Sequence, residues 1–284
     1  MILCKTVEAL QQEVKTAKNT NKTIGLVPTM GALHTGHASL IDAANKENDI
    51  VVVSVFVNPT QFGPNEDLES YPRTLEADCI LADKMGADIV FAPTPKEMYP
   101  SKDMTWVEVC GDITKVLCGA TRPIHFRGVT TIVSKLFNLT QPDKAYFGQK
   151  DAQQVQVLTR MVKDLFLPVK LRIMPIIREQ DGLAKSSRNT YLSQKERMAA
   201  LILSKSLKNA EQLFANGQLN AQKIVEETTC MIKSEPLAEI DYVKIYAMPE
   251  LTPVDGPMSG RNLLALAVKF GKTRLIDNTI LEVK

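Results

Sequence analysis

Apolar positions in the first 178 residues switch repeatedly between two spacings. Residues 5–18 repeat at the helical period, and Thr23–Pro28 is a short apolar run of strand type. His37–Lys46 returns to helical spacing. Asp49–Val57 is then almost continuously β-branched (Ile50, Val51, Val52, Val53, Val55, Val57), the pattern of a strand covered on both faces. The alternation continues with a helix over Thr74–Met85, closed by Gly86, and a strand over Asp88–Ala92. A helix over Phe126–Leu139, a short strand over Lys144–Phe147, a helix over Ala152–Leu165 and a strand over Val169–Ile177 complete the series. Strands separated by helices predict βαβ units and a parallel sheet with right-handed crossovers, whose ligands lie beyond the carboxyl ends of the strands.

The texture changes near Arg178–Gly182. A long helix is predicted over Ser193–Ala215, with Ser193 and Glu196 in capping-box spacing, and another over 220–234. Ile240–Tyr246, Leu263–Phe270 and Thr273–Leu281 read as strands, the last two joined by a Gly271-Lys272 hairpin. The expected organisation is therefore an α/β domain over 1–178, with a parallel sheet flanked by helices. A smaller C-terminal α+β domain over 179–284 would contain an antiparallel sheet.

Chemistry concentrates where the predicted strands end. Pro28-Thr29-Met30-Gly31-Ala32-Leu33-His34-Thr35-Gly36-His37 follows the first buried run and carries two of the chain's three histidines. A strand that turns tightly into a helix start offers backbone N–H groups and the positive end of a helix dipole to an anion, and the imidazoles add donors. The glycines alone would also suit a plain turn. Phe56–Gly63 follows the next strand; its Asn58 and Gln61 amides suit hydroxyls and carboxylates, although Asn-Pro is equally a turn opener. Pro64–Pro72 reads as a loop able to cover the same crevice. In Arg122–Val129 either Arg122 or Arg127 suits a phosphate or carboxylate, and His125 a cap or packing role. In Phe147–Gln154, Gly148 allows close backbone approach, Lys150 offers a charge, Asp151 is a candidate helix cap, and Gln154 lies one turn further on. Finally, Lys185, Ser186, Ser187 and Arg188 form a candidate anion clamp at the domain seam.

Composition narrows the classes. The chain has 284 residues, 44% hydrophobic and 23% charged, with a net charge of +2, so it carries no global basic field for nucleic acid or an anionic membrane. Its five cysteines (Cys4, Cys79, Cys110, Cys118, Cys230) contain no C-x-x-C pair, which argues for reduced thiols rather than a disulfide framework or zinc site. No run has transmembrane length and no signal-peptide core is visible. A cytoplasmic location is expected.

The segments PTMGALHTGH, FVNPTQFG, YPRTLEAD, RPIHFRGV, YFGQKDAQQ and REQDGLAKSSRN, in this order from residue 28 to 189, resemble the pantothenate synthetase (pantoate–β-alanine ligase) family of the HxGH/KMSKS nucleotidylyltransferase superfamily. The resemblance implies an ATP-dependent ligase, usually a homodimer, with a Rossmann-like first domain. On that basis Met30, Gly31, Ala32, Leu33, His34, Thr35, Gly36 and His37 would form the ATP segment, with His37 the candidate acid. Gly148, Gln149, Lys150 and Asp151 would line the nucleotide site, Ile177 would contact adenine, and Lys185 to Arg188 would clamp phosphate. Gln61 and Gln154, with Asn58, would serve pantoate, and Gln61 also β-alanine. His34, His37, Lys150, Ser186, Ser187 and Arg188 would carry the catalytic charge stabilisation. Mg²⁺ is expected with ATP, its ligands unassigned. Lys185 stands where the family commonly has methionine, and Ala77 where some members have aspartate. Two other readings remain open: an HxGH nucleotidylyltransferase acting on a phosphorylated acceptor, and a nucleotide-binding module without turnover.

Overall fold

A computed structural model describes residues 1–64 and 66–283. Its first half follows the βαβ pattern: β1 (Ile2–Cys4), α1 (Val7–Asn19), β2 (Ile24–Thr29), α2 (Thr35–Glu47), β3 (Ile50–Val55), α3 (Leu75–Lys84), β4 (Ile89–Phe91) and short helices α4 (Pro95–Met98) and α5 (Cys118–Thr121). Then come α6 (His125–Thr140), β5 (Lys144–Gly148), α7 (Ala152–Asp164) and β6 (Lys170–Met174). The six strands pair in parallel in the order β1-β4-β3-β2-β5-β6. Chain direction across the sheet reverses between β2 and β5, so the crevice outside their carboxyl ends is the expected ligand position for this topology.

Burial explains why these segments hold. In β3, Val51, Val52 and Val53 are fully enclosed, with α2 and α3 on one face and α1 and α6 on the other. Each buried branched side chain of this kind contributes roughly 1.5–3 kcal/mol. The predicted Val169–Ile177 strand is real but shorter, and as an edge strand it is only partly covered. β1 was invisible to periodicity because three residues hold too little pattern. It pairs Ile2 with Ile89 and Cys4 with Phe91.

The second half contains α8 (Gln194–Ala199), α9 (Leu201–Ala215), α10 (Ala221–Lys233) and β7 (Ala238–Ala247), β8 (Thr252–Pro253), β9 (Arg261–Phe270) and β10 (Thr273–Glu282). The antiparallel order is β10-β9-β7-β8, with Thr273 opposite Phe270 across the predicted hairpin. The expected single helix over Ser193–Ala215 is broken at Ala200, where the sequence offers neither glycine nor proline as a mark. Its capping box forms as read: Ser193 N donates to Glu196 Oε2 (2.8 Å). The two hydrophobic cores separate between Met174 and Leu183. A smaller cluster joins them, in which Leu117 and Ala152 pack on Tyr246, Leu263 and Ala265.

Candidate active site

The loop after β2 crosses the mouth of the crevice in a conformation that its neighbours enforce. Gly31 has φ +81° and Ala32 φ +49°, a tight turn that leaves N–H groups without intrahelical partners. Asp78, on α3 and only 2% exposed, accepts from Ala32 N (3.0 Å), Leu33 N (2.7 Å) and Thr74 Oγ1 (3.2 Å). Thr29 Oγ1 accepts from Gly31 N (3.1 Å). His34 N donates to His37 Nδ1 (3.3 Å), and Gly36 N to His34 Nδ1 (3.1 Å). This corrects the reading that free backbone N–H groups await an anion here: those of Gly31, Ala32, Leu33, His34 and Gly36 are already engaged. Gly31, Ala32, Leu33 and Thr35 shape the turn, whereas Met30, His34, Gly36 and His37 face the cavity.

Engagement of both Nδ1 atoms has a chemical consequence. Each imidazole accepts at Nδ1, so each carries its proton on Nε2. The rings stack with centroids 4.1 Å apart. Burial, then Lys150 and Lys185, pull the His34 pKa down to about 4. Burial, then His34 and Lys150, hold His37 well below the usual range. The pair is therefore neutral at pH 7 and presents two N–H donors without a positive charge. That suits hydrogen bonding to phosphate oxygen rather than release of a full proton.

The cavity, of about 910 Å³, runs from these histidines across the sheet ends to the second domain. Gly148 lies at the end of β5 with an ordinary φ of −82°. A Cβ there would meet no protein atom nearer than 4.0 Å, so the fold does not require glycine at this position. Lys150 lies next to it, 3.3 Å from Asp151 Oδ1. Asp151 does not cap α7, contrary to the expectation, because a 3₁₀ turn over Gln149–Asp151 turns its carboxylate to Lys150. Gln149 also departs from expectation: it does not line the cavity, and its Nε2 donates to Oδ1 of Asn278 (3.4 Å), a residue that does. Asn278 Nδ2 in turn donates to the Gln149 and Lys150 carbonyls (3.0 and 2.9 Å), and adjacent buried Asp277 pairs with the partly exposed Arg178 (2.7 Å). The C-terminal domain thus positions the lysine turn, which its sequence did not announce.

On the β3 side, Gln61 is 7% exposed, with Nε2 2.9 Å from Met30 Sδ. Asn58 is wholly committed to protein partners. Its Nδ2 donates to Gln61 Oε1 and to Gly128 O (both 3.1 Å), while Oδ1 accepts from Tyr99 Oη (2.8 Å) and Thr60 Oγ1 (2.9 Å). It positions Gln61 and has no amide capacity left for a ligand. Gly128 permits the approach of α6, since a Cβ would lie 2.6 Å from Gln61 Cα and N. Gln154 lines the cavity one turn along α7.

The seam segment reaches the same cavity. Ser186 Oγ accepts from Arg188 N (3.2 Å), and Asn189 Nδ2 braces the turn against Glu179 Oε1 (2.9 Å) and Ala184 O (3.1 Å). Lys185 donates its N–H to Ile177 O (2.9 Å) and turns its Nζ to Glu179 (3.7 Å), while its stem borders the cavity. Arg188 grips Asp67 with two bonds of 2.9 Å. Asp67 belongs to Pro64–Pro72, within which Asn65 lies outside the described residues. Glu66, Asp67, Ser70 and Tyr71 of this stretch border the cavity: Glu66 pairs with Arg122, and Tyr71 Oη lies 3.2 Å from Ser187 Oγ. Arg73 braces it by donating to the Leu68, Glu69 and Tyr71 carbonyls. Arg127 stacks on Trp106 instead (4.3 Å), which leaves Arg122 as the cavity arginine of its motif. Asp78, Glu66, Asp67, Tyr71 and Asn278 were missed from sequence, since each reaches a partner more than 40 residues away in the chain.

Among the described residues no group of three His, Cys, Asp or Glu side chains is placed to hold a metal ion, and no helix is long and apolar enough to cross a membrane. A magnesium ion carried on a nucleotide takes most of its ligands from phosphate and water, so no protein cage is required.

A doubly wound α/β sheet with paired imidazoles and basic side chains at its switch point defines a class of proteins that bind their ligands beyond the strand ends. The comparison with known families is specific. A family model for pantoate-beta-alanine ligase matches residues 2–280, and the chain belongs to that family of ligases. A pantothenate synthetase from Acetivibrio thermocellus is 56% identical over 283 residues, covering all of both chains. The crystal structure of pantothenate synthetase from Thermus thermophilus superposes with a TM-score of 0.93 at 42% identity, with both chains fully covered. That of the pantoate-beta-alanine ligase from Francisella tularensis, complexed with beta-gamma ATP and beta-alanine, does so with a TM-score of 0.80 at 33% identity, covering 100% and 99%.

Proposed function

We propose that this enzyme condenses (R)-pantoate with β-alanine at the expense of ATP, through a pantoyl-adenylate intermediate, releasing AMP and pyrophosphate. Family membership supports the overall reaction, as does the Francisella relative, whose crystal structure is a complex with beta-gamma ATP and beta-alanine. The observation that carries the mechanism is the meeting in one cavity of two neutral Nε2–H donors with Lys150 and the Ser186–Arg188 turn.

In the first step the pantoate carboxylate attacks the α-phosphorus and pyrophosphate leaves. In the second the β-alanine amine attacks the acyl carbon and AMP leaves. Neither step needs a covalent bond to the protein. The side chains hold the reactants in line and stabilise phosphate charge. His34 and His37 donate from the β2 side, Lys150 from the β5 side, and Ser186, Ser187 and Arg188 close from the seam. The adenine would lie along Ile176–Ile177. Gln61, set by Asn58, and Gln154 hold pantoate. Enclosure by Glu66–Tyr71 keeps water from the mixed anhydride. Mg²⁺ enters with ATP. A cytoplasmic homodimer is the assembly expected for the family.

Incubation with MgATP, pantoate and β-alanine, with products identified by mass, tests the reading. Joint appearance of AMP, pyrophosphate and pantothenate supports it. Pyrophosphate release only with a phosphorylated acceptor would transfer the assignment to a nucleotidylyltransferase, and ATP binding without turnover to a regulatory module.

A further inference from the structure

The adenylation chemistry proposed above, on which this inference rests, asks two separate turns to meet one triphosphate. The Lys150 turn follows β5, and the Ser186–Arg188 turn follows the domain seam; each is built on a short 3₁₀ segment. Their spacing must be set by something behind them. On the seam side, residues 178–184 fold back on themselves. Arg178 and Ala184 bridge antiparallel, and Glu179 N donates to Leu183 O (2.8 Å). Lys185 N then donates to Ile177 O (2.9 Å), so the clamp leaves directly from this small hairpin. Arg178 Nη1 braces the hairpin tip by donating to Gly182 O (3.1 Å). The same guanidinium grips both oxygens of Asp277, Nη1 to Oδ2 (2.7 Å) and Nη2 to Oδ1 (3.0 Å).

Asp277 also faces the other turn. Its Oδ1 accepts from Asn278 N (2.8 Å), and the Asn278 amide holds the Gln149 and Lys150 carbonyls. Asp277 is 2% exposed and Asn278 3%. Burial raises the Asp277 pKa, against the Arg178 bonds and charge, and the Lys150 charge is felt at this carboxyl too. One carboxylate therefore ends two lines of bonds. The first runs through Arg178 to the clamp, the second through Asn278 to the lysine turn. A carboxylate can serve both at once because it is acceptor-only and has lone pairs for a fork and an amide together.

We propose that Asp277 is a positioning residue for the adenylation step, a buried junction that fixes the spacing between Lys150 and the Ser186–Arg188 clamp. Release of pyrophosphate needs both turns at once. Attack of the amine on a finished adenylate comes after pyrophosphate has gone and depends far less on that spacing.

The two half-reactions can be measured apart. Asp277→Asn, which keeps the shape, should lower pyrophosphate release from MgATP and pantoate roughly tenfold to a hundredfold, since a misplacement of about 1 Å can cost that much. Reaction of β-alanine with supplied pantoyl adenylate should change by less than about threefold, a shift below 1 kcal/mol. Double-mutant cycles give the readout that a loss of stability alone would not move. Asp277→Asn should be non-additive with both Lys150→Ala and Ser187→Ala. Asn278→Ala should couple to Lys150→Ala only, and Arg178→Gln to Ser187→Ala only. Should Asp277→Asn fail to fold, Arg178→Gln with Asp277→Asn removes both charges of the pair and enters the same cycles. Additive losses with either partner, equal losses in the two half-reactions, or unchanged pyrophosphate release would overturn the proposal. A wild-type enzyme that releases no pyrophosphate from MgATP and pantoate would instead overturn the ligase reading itself.

Discussion

Removing the Asp78 carboxylate should dismantle the histidine loop without touching a residue of the cavity wall. The side chain is 2% exposed and accepts two backbone N–H groups, from Ala32 at 3.0 Å and Leu33 at 2.7 Å, together with the Thr74 hydroxyl. A hydrogen bond to a charged partner is worth about 1.5–3 kcal/mol, and donors left buried and unmatched lose that amount in full. The hydroxyl can rotate to another acceptor, so the two amides decide the total, about 3–5 kcal/mol for Asp78→Ala. For a chain of this size that corresponds to a fall in Tm on the order of 10 °C. Asp78→Asn keeps one acceptor oxygen but turns an NH₂ toward a backbone N–H, so about half of the stability should return. Thermal unfolding by circular dichroism gives the first number, and ATP titration by calorimetry the second, since His34 and His37 are mounted on the same turn. Asp78→Ala that melts within about 2 °C of wild type and binds ATP normally would refute the argument.

The remaining predictions use other parts of the same geometry. Gly148→Ala should leave Tm within a degree or two, because its Cβ meets no protein atom nearer than 4.0 Å, yet lower kcat/KM by intruding on the ligand; a melt and a rate assay on one preparation check both. Gly128→Ala should do the reverse first, costing about 1–3 kcal/mol as α6 is pushed off Gln61 and then weakening pantoate binding, read by urea unfolding and titration. His34 and His125 have pKa values depressed to about 4 in the fold against about 6.5 unfolded. The unfolded chain thus binds more protons between these values. Their stability contribution is complete above pH 6.5 and declines as pH falls toward 4, by at most about 1.4 kcal/mol per pH unit for each group. Proton NMR titration of the imidazoles checks the assignment, and midpoints near 6.5 would remove it. Replacing His37 or Lys150 with alanine should slow adenylate formation on the order of 10²–10³-fold while the protein stays folded, measured as pyrophosphate release.

What could be read from sequence, and what could not, divides along the range of the interactions. The β-branched run at Ile50–Val55 betrayed its strand because burial on both faces leaves a composition mark in six adjacent residues. The HxGH turn, the Gly148–Asp151 turn and the Lys185–Arg188 segment were legible as cavity-lining stretches because each packs its polar groups into a few neighbouring positions. The scaffold behind them was not. Asn58 looked like a ligand amide because its type fits one, and only the positions of Tyr99, Thr60 and Gly128 reveal that its bonds are already used. Asp151 looked like a cap from its place before α7, but the intervening 3₁₀ turn redirects it. The break at Ala200 and the strand Ile2–Cys4 rest on tertiary contacts that leave no local signature.

Asn278 lies on β10 of the antiparallel sheet, and it fastens the two carbonyls that set the direction of Lys150. The turn that carries Lys150 thus leaves the first sheet but is held by the second, and loosening β10 would misdirect the lysine while the parallel sheet stays intact.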